Sequence, residues 1–298
     1  MSKPLRKRLP RAVRQRFRPV KHLIYRPLYR LYPITASLNR PVFVIGCGRS
    51  GTTILATTLS QHPDLVYLQE PRHIWAYEPR TDIWSRTKDV DETRLSLAAG
   101  DVTPEAAARI RRAFGVEVER HGGQRLLEKL PINNFRVPFV DAIFPDAVFI
   151  HILRNGIEVA RSIARLADAG RWYGGNKWSL LAAYARQRGD GDLLALCTDN
   201  FTRGLLEWRV SVSAALEGLA PLDPDRVLDA RYENLLADPV GLCRRVEDFL
   251  ALRPSQELET YAATQIARRS PPAGTDGLTP AARQIAGDLL AQLGYPAA

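Results

Sequence analysis

The stretch from Pro41 to Leu59, PVFVIGCGRSGTTILATTL, limits what this chain can fold into more than any other. It opens on an unbroken apolar run, Val42 to Ile45, bounded by glycine. Such a run predicts a strand buried on both faces of a parallel sheet. Past the turn, Ile54, Leu55 and Leu59 fall on one side of a predicted helix. Strand, glycine-rich turn and helix form a phosphate-binding geometry. Glycine lets the backbone approach the anion, and the free N–H groups at the helix start point at it. The spacing from Gly46 to Gly51 is G-x-x-x-x-G, but Thr52 stands where a nucleoside triphosphatase places its lysine. The cation lies inside the loop instead, at Arg49, whose planar fork suits a multi-oxygen anion. Gly48, Arg49, Ser50, Gly51, Thr52 and Thr53 are the candidate contacts to an anionic nucleotide without the magnesium–triphosphate arrangement. A turn that only tightens strand–helix packing is the plainer alternative.

A second turn of the same kind lies about a hundred residues on. Ala147 to Arg154, AVFIHILR, predicts another buried strand, and Asn155 with Glu158 reads as a helix N-cap with its N3 partner. Gly170 suits the C′ position of that helix. Arg154 ends the strand, and Ser162 lies two helical turns further on, about 10 Å from the helix start.

PVFVIGCGRSGTT, followed by YLQEP, resembles the 5′-phosphosulfate loop of sulfotransferases that use 3′-phosphoadenosine-5′-phosphosulfate (PAPS). FIHILRNGIEVARS resembles the second signature of that family, where an Arg and a Ser eight residues apart bind the 3′-phosphate; Arg154 and Ser162 match that spacing. The likeness is to carbohydrate and tyrosyl-protein sulfotransferases, in a bacterial cytosolic form, and is concentrated in residues 41–80, 126–165 and 226–252. It implies sulfuryl transfer from PAPS to an acceptor hydroxyl, with no metal. Glu70 follows Arg49 by 21 residues, as a glutamate does in the tyrosyl enzymes, and EPRHIW is similar to the EP-x-x-x-W stretch of the carbohydrate enzymes. The resemblance makes Glu70 the base for the acceptor proton. From the residues alone, Glu70 can equally be a surface carboxylate or the ion-pair partner of Arg72. RLLEKLP, residues 125–131, is similar to the family's K-x-P at a strand end, which puts Lys129 near the transferring group; a solvated strand-end lysine is the alternative. With Arg49 it would neutralise charge on the departing oxygens. RYENLLADP, from Arg231, resembles the late RYE-x-L-x-x-x-P stretch and makes Tyr232 a candidate wall of the cofactor site. Arg268 to Pro272 corresponds to a late basic segment that closes over the cofactor in relatives.

Charge divides the chain in two. The net charge is +10, yet residues 1–40 hold twelve of the 42 Lys and Arg and no acid, leaving 30 basic against 32 acidic residues in the remainder. The globular part is nearly neutral, and the basicity belongs to an N-terminal arm. Pro10, Pro19, Pro27 and Pro33 break that arm into short pieces. A loosely packed extension, contact with an anionic membrane through residues 1–35, and a nucleic-acid arm all fit such a composition, in that order of preference; no nucleic acid is expected as a partner. No run of eighteen apolar residues predicts a membrane span, and no apolar core of a signal peptide follows the basic start, so a cytoplasmic location is expected, with membrane association open. Cys47, Cys197 and Cys243 are too far apart for a zinc or disulfide framework. Cys47 is either a low-pKa thiol or a small residue suited to a tight turn.

Further strands are predicted at 65–68, 125–129 and 227–230, and helices from 104 to 114 or a little beyond, with Gly115 or Gly122 ending that region, and at 200–216, 240–250 and 279–293. Residues 81–125 read as a cap or insertion, and the aromatics of 171–178 as a lid, a sugar-stacking wall or a loop–core junction. The expected architecture is α/β and P-loop-like: one domain over 41–298, with a mainly parallel central sheet flanked by helices on both faces. The acceptor class left open is a glycan, a glycolipid or a small natural product. A P-loop kinase or NTPase, and a non-catalytic nucleotide-binding protein, are the competing functions.

Overall fold

The computed structural model describes residues 25, 27–32, 38–78, 81–83, 93–122, 124–266 and 279–295. In chain order, β1 (Val42–Ile45) leads through the glycine turn into α1 (Thr52–Leu59), and β2 (Leu65–Gln69) is followed by the single turn α2 (Arg72–Trp75). Helix α3 (Pro104–Arg120) returns the chain to β3 (Arg125–Lys129). A 3-10 segment, Pro131–Phe135, and α4 (Val137–Ile143) lead to β4 (Val148–Leu153). Helices α5 (Gly156–Asp168), α6 (Lys177–Gln187) and α7 (Asn200–Leu219) precede β5 (Val227–Arg231). The chain then runs through α8 (Tyr232–Ala237), α9 (Pro239–Leu250), α10 (Gln256–Gln265) and α11 (Pro280–Gln292).

The five strands form one parallel sheet in the order β2-β3-β1-β4-β5. Central β1 is buried at every position, as its continuous apolar run requires. Its alternation sorts two cores. Phe43 and Ile45 face α3, α4 and Trp75, while Val42 and Val44 face Leu55 and Leu59 of α1 and Leu242 and Val246 of α9. A third apolar cluster joins α5, α6, α7 and α11 beyond the carboxyl end of β4. Because every strand runs the same way, the turns after β1 to β5 open at one edge. β1 lies between β3 and β4 at the point where the strand order reverses, the place where ligands sit in open α/β sheets.

Several local expectations need correction. Helix α3 runs on to Arg120, and of the two expected stops it is Gly122, in left-handed conformation at φ 67°, that follows its end, not Gly115. Its Ile110 and Phe114 are fully buried against the Phe43 side of the sheet, so this part of the stretch read as a cap is the crossover layer between β2 and β3. Asn155 does cap α5, accepting from the N–H groups of Ile157 and Glu158, but Glu158 turns its carboxylate to Arg161 and Arg154. Glu233 accepts from the Asn155 N–H in its place, at 3.0 Å. Gly170 closes the helix as expected, with φ 66° and the paired Gly170→Ala167 and Arg171→Leu166 bonds.

The described part of the arm is packed rather than loose. Residues 27–31 are helical; Tyr29 is buried and donates to Glu117 on α3 at 3.0 Å. Arg112 donates to the carbonyls of Tyr29, Arg30 and Tyr32. Among the described residues no helix is long and apolar enough to cross a membrane. The basic segment Arg268–Pro272 lies outside the described residues.

Candidate active site

The turn after β1 is built from within. Gly46, at φ 155°, would drive a Cβ to 2.6 Å from the Ile152 carbonyl, so no other residue fits there. Its N–H is held by Asn134 Oδ1 at 2.6 Å, and Asn134 is anchored in turn on Ser211 of α7. Gly51, at φ 96°, would place a Cβ 2.3 Å from the Tyr232 ring. α1 begins at the next residue with no acid in its first turn and no side-chain cap. The first N–H groups of α1 thus have no partner from the helix itself and carry its positive dipole end. Ser50 Oγ is buried with no hydrogen-bond partner among the described residues, a group that a bound anion would satisfy. Cys47 is buried and desolvation pushes its thiol well up, which leaves the small-residue reading.

Arg49 itself adopts a left-handed backbone, φ 76°, and turns its guanidinium away from β3. Its Nε donates to Ser162 Oγ at 3.1 Å, and Arg154 Nη1 donates to the Arg49 carbonyl at 3.0 Å. The Arg154 guanidinium lies over the Tyr232 ring at 4.3 Å. Burial, then Arg154 and Arg165, hold the Arg49 guanidinium below its ordinary value. Two distant turns thus meet: Arg49, Arg154, Ser162 and Tyr232 form one cluster, with a crowding of like charge that an anion would relieve. Tyr232 acts in it as a platform that supports Gly51 and Arg154 together.

The second cluster lies on the other side of β1. In register, Lys129 pairs with both Val44 and Gln69, so its side chain stands between the ends of β1 and β2. That side chain is 1% exposed, which excludes the solvated alternative, and its Nζ donates to Glu70 Oε1 at 2.8 Å. Arg72 donates to Glu70 Oε2 at 3.0 Å, so the ion pair with Arg72 is present as well. Glu70 has φ 48°, an unfavourable conformation for a non-glycine residue, and its N–H is fixed on the Lys129 carbonyl. Burial pushes the Glu70 carboxyl up, but Lys129 and Arg72 outweigh it and hold the group below its usual value. Arg49 is not part of this cluster.

Trp172 lies against the loop: a Cβ on Gly48 would come within 2.9 Å of its ring. Trp172 Nε1 donates to Glu207 at 2.8 Å, and Lys177 pairs with Glu207 at 2.7 Å while lying 3.7 Å over the Trp172 ring.

Sequence reasoning missed the residues that brace the site. Arg136 is fully buried and donates to the carbonyls of Thr81, Arg94 and Leu95, pinning the segment that follows α2. Glu128, Asn133 and Asn134 are also fully buried. An NN pair and an EK pair at a strand end were the available signals, but each partner lies on another element.

Loop, sheet and strand-end clusters define an α/β protein of the phosphate-loop type. The sequence matches the model of the Sulfotransferase family over residues 41–256. The chain belongs to that family. Among curated relatives, protein-tyrosine sulfotransferase of Drosophila melanogaster is 24% identical over 212 residues, covering 70% of this chain and 37% of that protein. Protein-tyrosine sulfotransferase 1 of Homo sapiens is 30% identical over 118 residues, 39% of this chain and 31% of that protein. The omega-hydroxy-beta-dihydromenaquinone-9 sulfotransferase Stf3 of Mycobacterium bovis is 31% identical over 129 residues, 42% and 28% of the two chains. The chain spans about a third of the length of these relatives. In fold it is similar to the sulfotransferase domain from the curacin biosynthetic pathway, with TM-score 0.54 and 16% identity over 88% of this chain and 100% of that one. Sulfotransferase STF1 from Mycobacterium tuberculosis H37Rv gives TM-score 0.52 and 19% identity over 82% and 76%.

Proposed function

We propose that this chain transfers a sulfuryl group from PAPS to an acceptor hydroxyl, with the nucleotide lying across the strand ends from Tyr232 to Glu70. The observation that carries the reading is the meeting of Arg49, Arg154 and Ser162 on one side of the loop and of Glu70 and Lys129 on the other. The first cluster suits the 3′-phosphate, the feature that separates PAPS from ATP. The N–H groups at the start of α1, which have no side-chain cap, and the Ser50 hydroxyl, without a partner among the described residues, suit the phosphosulfate end. PAPS supplies an activated sulfuryl group and a phosphate leaving group.

Glu70 accepts the acceptor's proton, and Lys129 neutralises charge on the departing oxygens together with the loop N–H groups. As long as Lys129 and Arg72 hold both Glu70 oxygens, Glu70 is a poor base. Drawing Lys129 toward the leaving group frees one oxygen and raises the basicity of Glu70 at the step that needs it. Arg49 was expected to share the catalytic role of Lys129. Its bond to Ser162 favours binding of the 3′-phosphate instead.

The acceptor class remains a hydroxyl on a glycan, a glycolipid or a small natural product. The tyrosyl-protein and hydroxymenaquinone sulfotransferases among the relatives add a phenol or a lipid-linked alcohol. Contact of residues 1–35 with an anionic membrane, and a cytoplasmic location, belong to the same proposal; equal sedimentation of the chain with anionic and neutral vesicles would remove the first. The site itself is tested by calorimetric titration with 3′-phosphoadenosine-5′-phosphate (PAP), the spent nucleotide. Wild type should bind PAP without added metal, and Arg154→Ala should weaken it at least tenfold, the scale of one lost charge-assisted hydrogen bond. Unchanged affinity would take Arg154 out of the site. Tighter binding of magnesium–ATP than of PAP would favour the kinase reading.

A further inference from the structure

Glu128 has no role in the chemistry above, yet it sits where the parts of the site join. Its side chain points to the opposite face of β3 from Lys129, into the aromatic core, and it is fully buried. The Trp75 indole N–H donates to its Oε1 at 3.0 Å, and Asn133 Nδ2 donates to its Oε2 at 3.1 Å. Each contact leads to one part of the site. Trp75 ends the single turn that begins directly after Glu70 and Pro71. Asn133 is the neighbour, in the same 3-10 segment, of Asn134, whose Oδ1 holds the Gly46 N–H of the phosphate loop. The next residue along β3 is Lys129, which pairs with Glu70.

We infer that Glu128 is a positioning residue that binds the Glu70 turn, the Lys129 strand and the Gly46 loop into one rigid unit. Packing alone does not explain it. An apolar residue of similar volume would fill the space beside Trp75 but would leave the Trp75 and Asn133 N–H donors buried without this acceptor. A buried polar hub of this kind fixes geometry rather than adding net stability. The spacing between a base and a leaving-group stabiliser is a geometry on which rate depends steeply.

The inference rests on the proposed sulfotransferase reading for its functional meaning, but its test has a readout independent of that reading. Three full-length variants are compared with wild type by backbone hydrogen exchange and PAP titration. Glu128→Gln keeps an acceptor for Trp75, with the Asn133 amide turned over to match. Glu128→Leu removes the acceptor at similar volume, and Trp75→Phe removes the donor but keeps a ring. In Glu128→Leu and Trp75→Phe, exchange should quicken at residues 46–48 and 70–76 and stay unchanged in α9. PAP affinity should fall roughly tenfold, the scale of one buried hydrogen bond lost. Glu128→Gln should keep PAP affinity within about twofold of wild type and should exchange no faster than wild type at residues 46–48 and 70–76. Wild-type exchange at Gly46 to Gly48 in the Leu variant would overturn the inference, as would a Gln variant that loosens as much as Leu. Should the Leu variant not fold, the Trp75→Phe and Glu128→Gln pair decides alone. Failure of wild type to bind PAP would count against the cofactor, and the exchange comparison would still settle the role of Glu128.

Discussion

Replacing Glu128 by glutamine should make the protein more stable, by an amount that grows with pH. Burial lifts the Glu128 carboxyl from 4.5 to about 8; the Trp75 and Asn133 donors and the charge of Lys129 pull the other way, and the charge of Glu70 adds to the rise. Its folded-state pKa lies above its unfolded value, so between about pH 4.5 and 8 the folded chain retains a proton that the unfolded chain releases. Stability therefore falls as pH rises through that window and levels off above it. At about 1.4 kcal/mol per pH unit, the full displacement sets a ceiling of about 5 kcal/mol. Glutamine keeps the shape and the hydrogen bonds and has no proton to lose. Urea unfolding of wild type and Glu128→Gln at three pH values, near 4.5, 6.5 and 8.5, measures the difference directly. The gap should be close to zero at the lowest pH and reach several kcal/mol at the highest. A glutamine variant that is less stable than wild type at pH 8.5 would refute the reasoning. It would mean that the two N–H donors hold an ionised carboxylate through neutral pH.

Glu70→Gln should retain PAP affinity within about threefold but lose turnover by at least a hundredfold on any hydroxyl acceptor found by screening with labelled PAPS, since general-base loss is on the order of a hundredfold or more; full activity would end the base assignment. Gly51→Ala must place a methyl 2.3 Å from the Tyr232 ring at φ 96°, so a stability loss of roughly 2 kcal/mol or more and weakened PAP binding are expected in melting and calorimetry. Tyr29→Phe removes the hydroxyl that donates to Glu117 and leaves Arg120 as the donor to that oxygen, so it should cost about 1 kcal/mol in urea unfolding, whereas no change would mean the described part of the arm is not held through α3.

What the sequence disclosed and what it hid follow one physical division. Strands buried on both faces announce themselves as continuous apolar runs, so Val42–Ile45 and Val148–Leu153 are legible to within a residue, whereas Arg125–Lys129, with three charges in five residues, is marked only by the Leu-Pro that follows it. Glu70, Lys129, Arg154 and Ser162 stand out in the sequence through the family resemblance, and the structure brings Glu70 to Lys129 and Arg154 and Ser162 to Arg49. Side-chain direction was not legible. Arg49 sits in the loop in any reading, but its left-handed backbone sends the guanidinium to Ser162 rather than toward Lys129. Helix α10 is hard to read because its apolar positions are few: it buries only Leu258 and Ala262. Glu128 and Asn134 were invisible for a different reason. Apart from the Glu128–Asn133 bond, their partners are 53 and 77–88 residues away in the chain, and no local pattern encodes such pairs.

The strand order β2-β3-β1-β4-β5 divides ownership of the site. Glu70, Arg72 and Lys129, all before Asn134, form the cluster where the acceptor would be deprotonated, and Arg154, Ser162 and Tyr232, all after Val148, form the one that would grip the adenosine; the first turn lies between them. Grafting residues 62–135 from a relative should therefore exchange acceptor preference and leave the nucleotide grip intact. A lineage could broaden its substrates in the same way, altering one flank of the molecule while the other keeps the common currency.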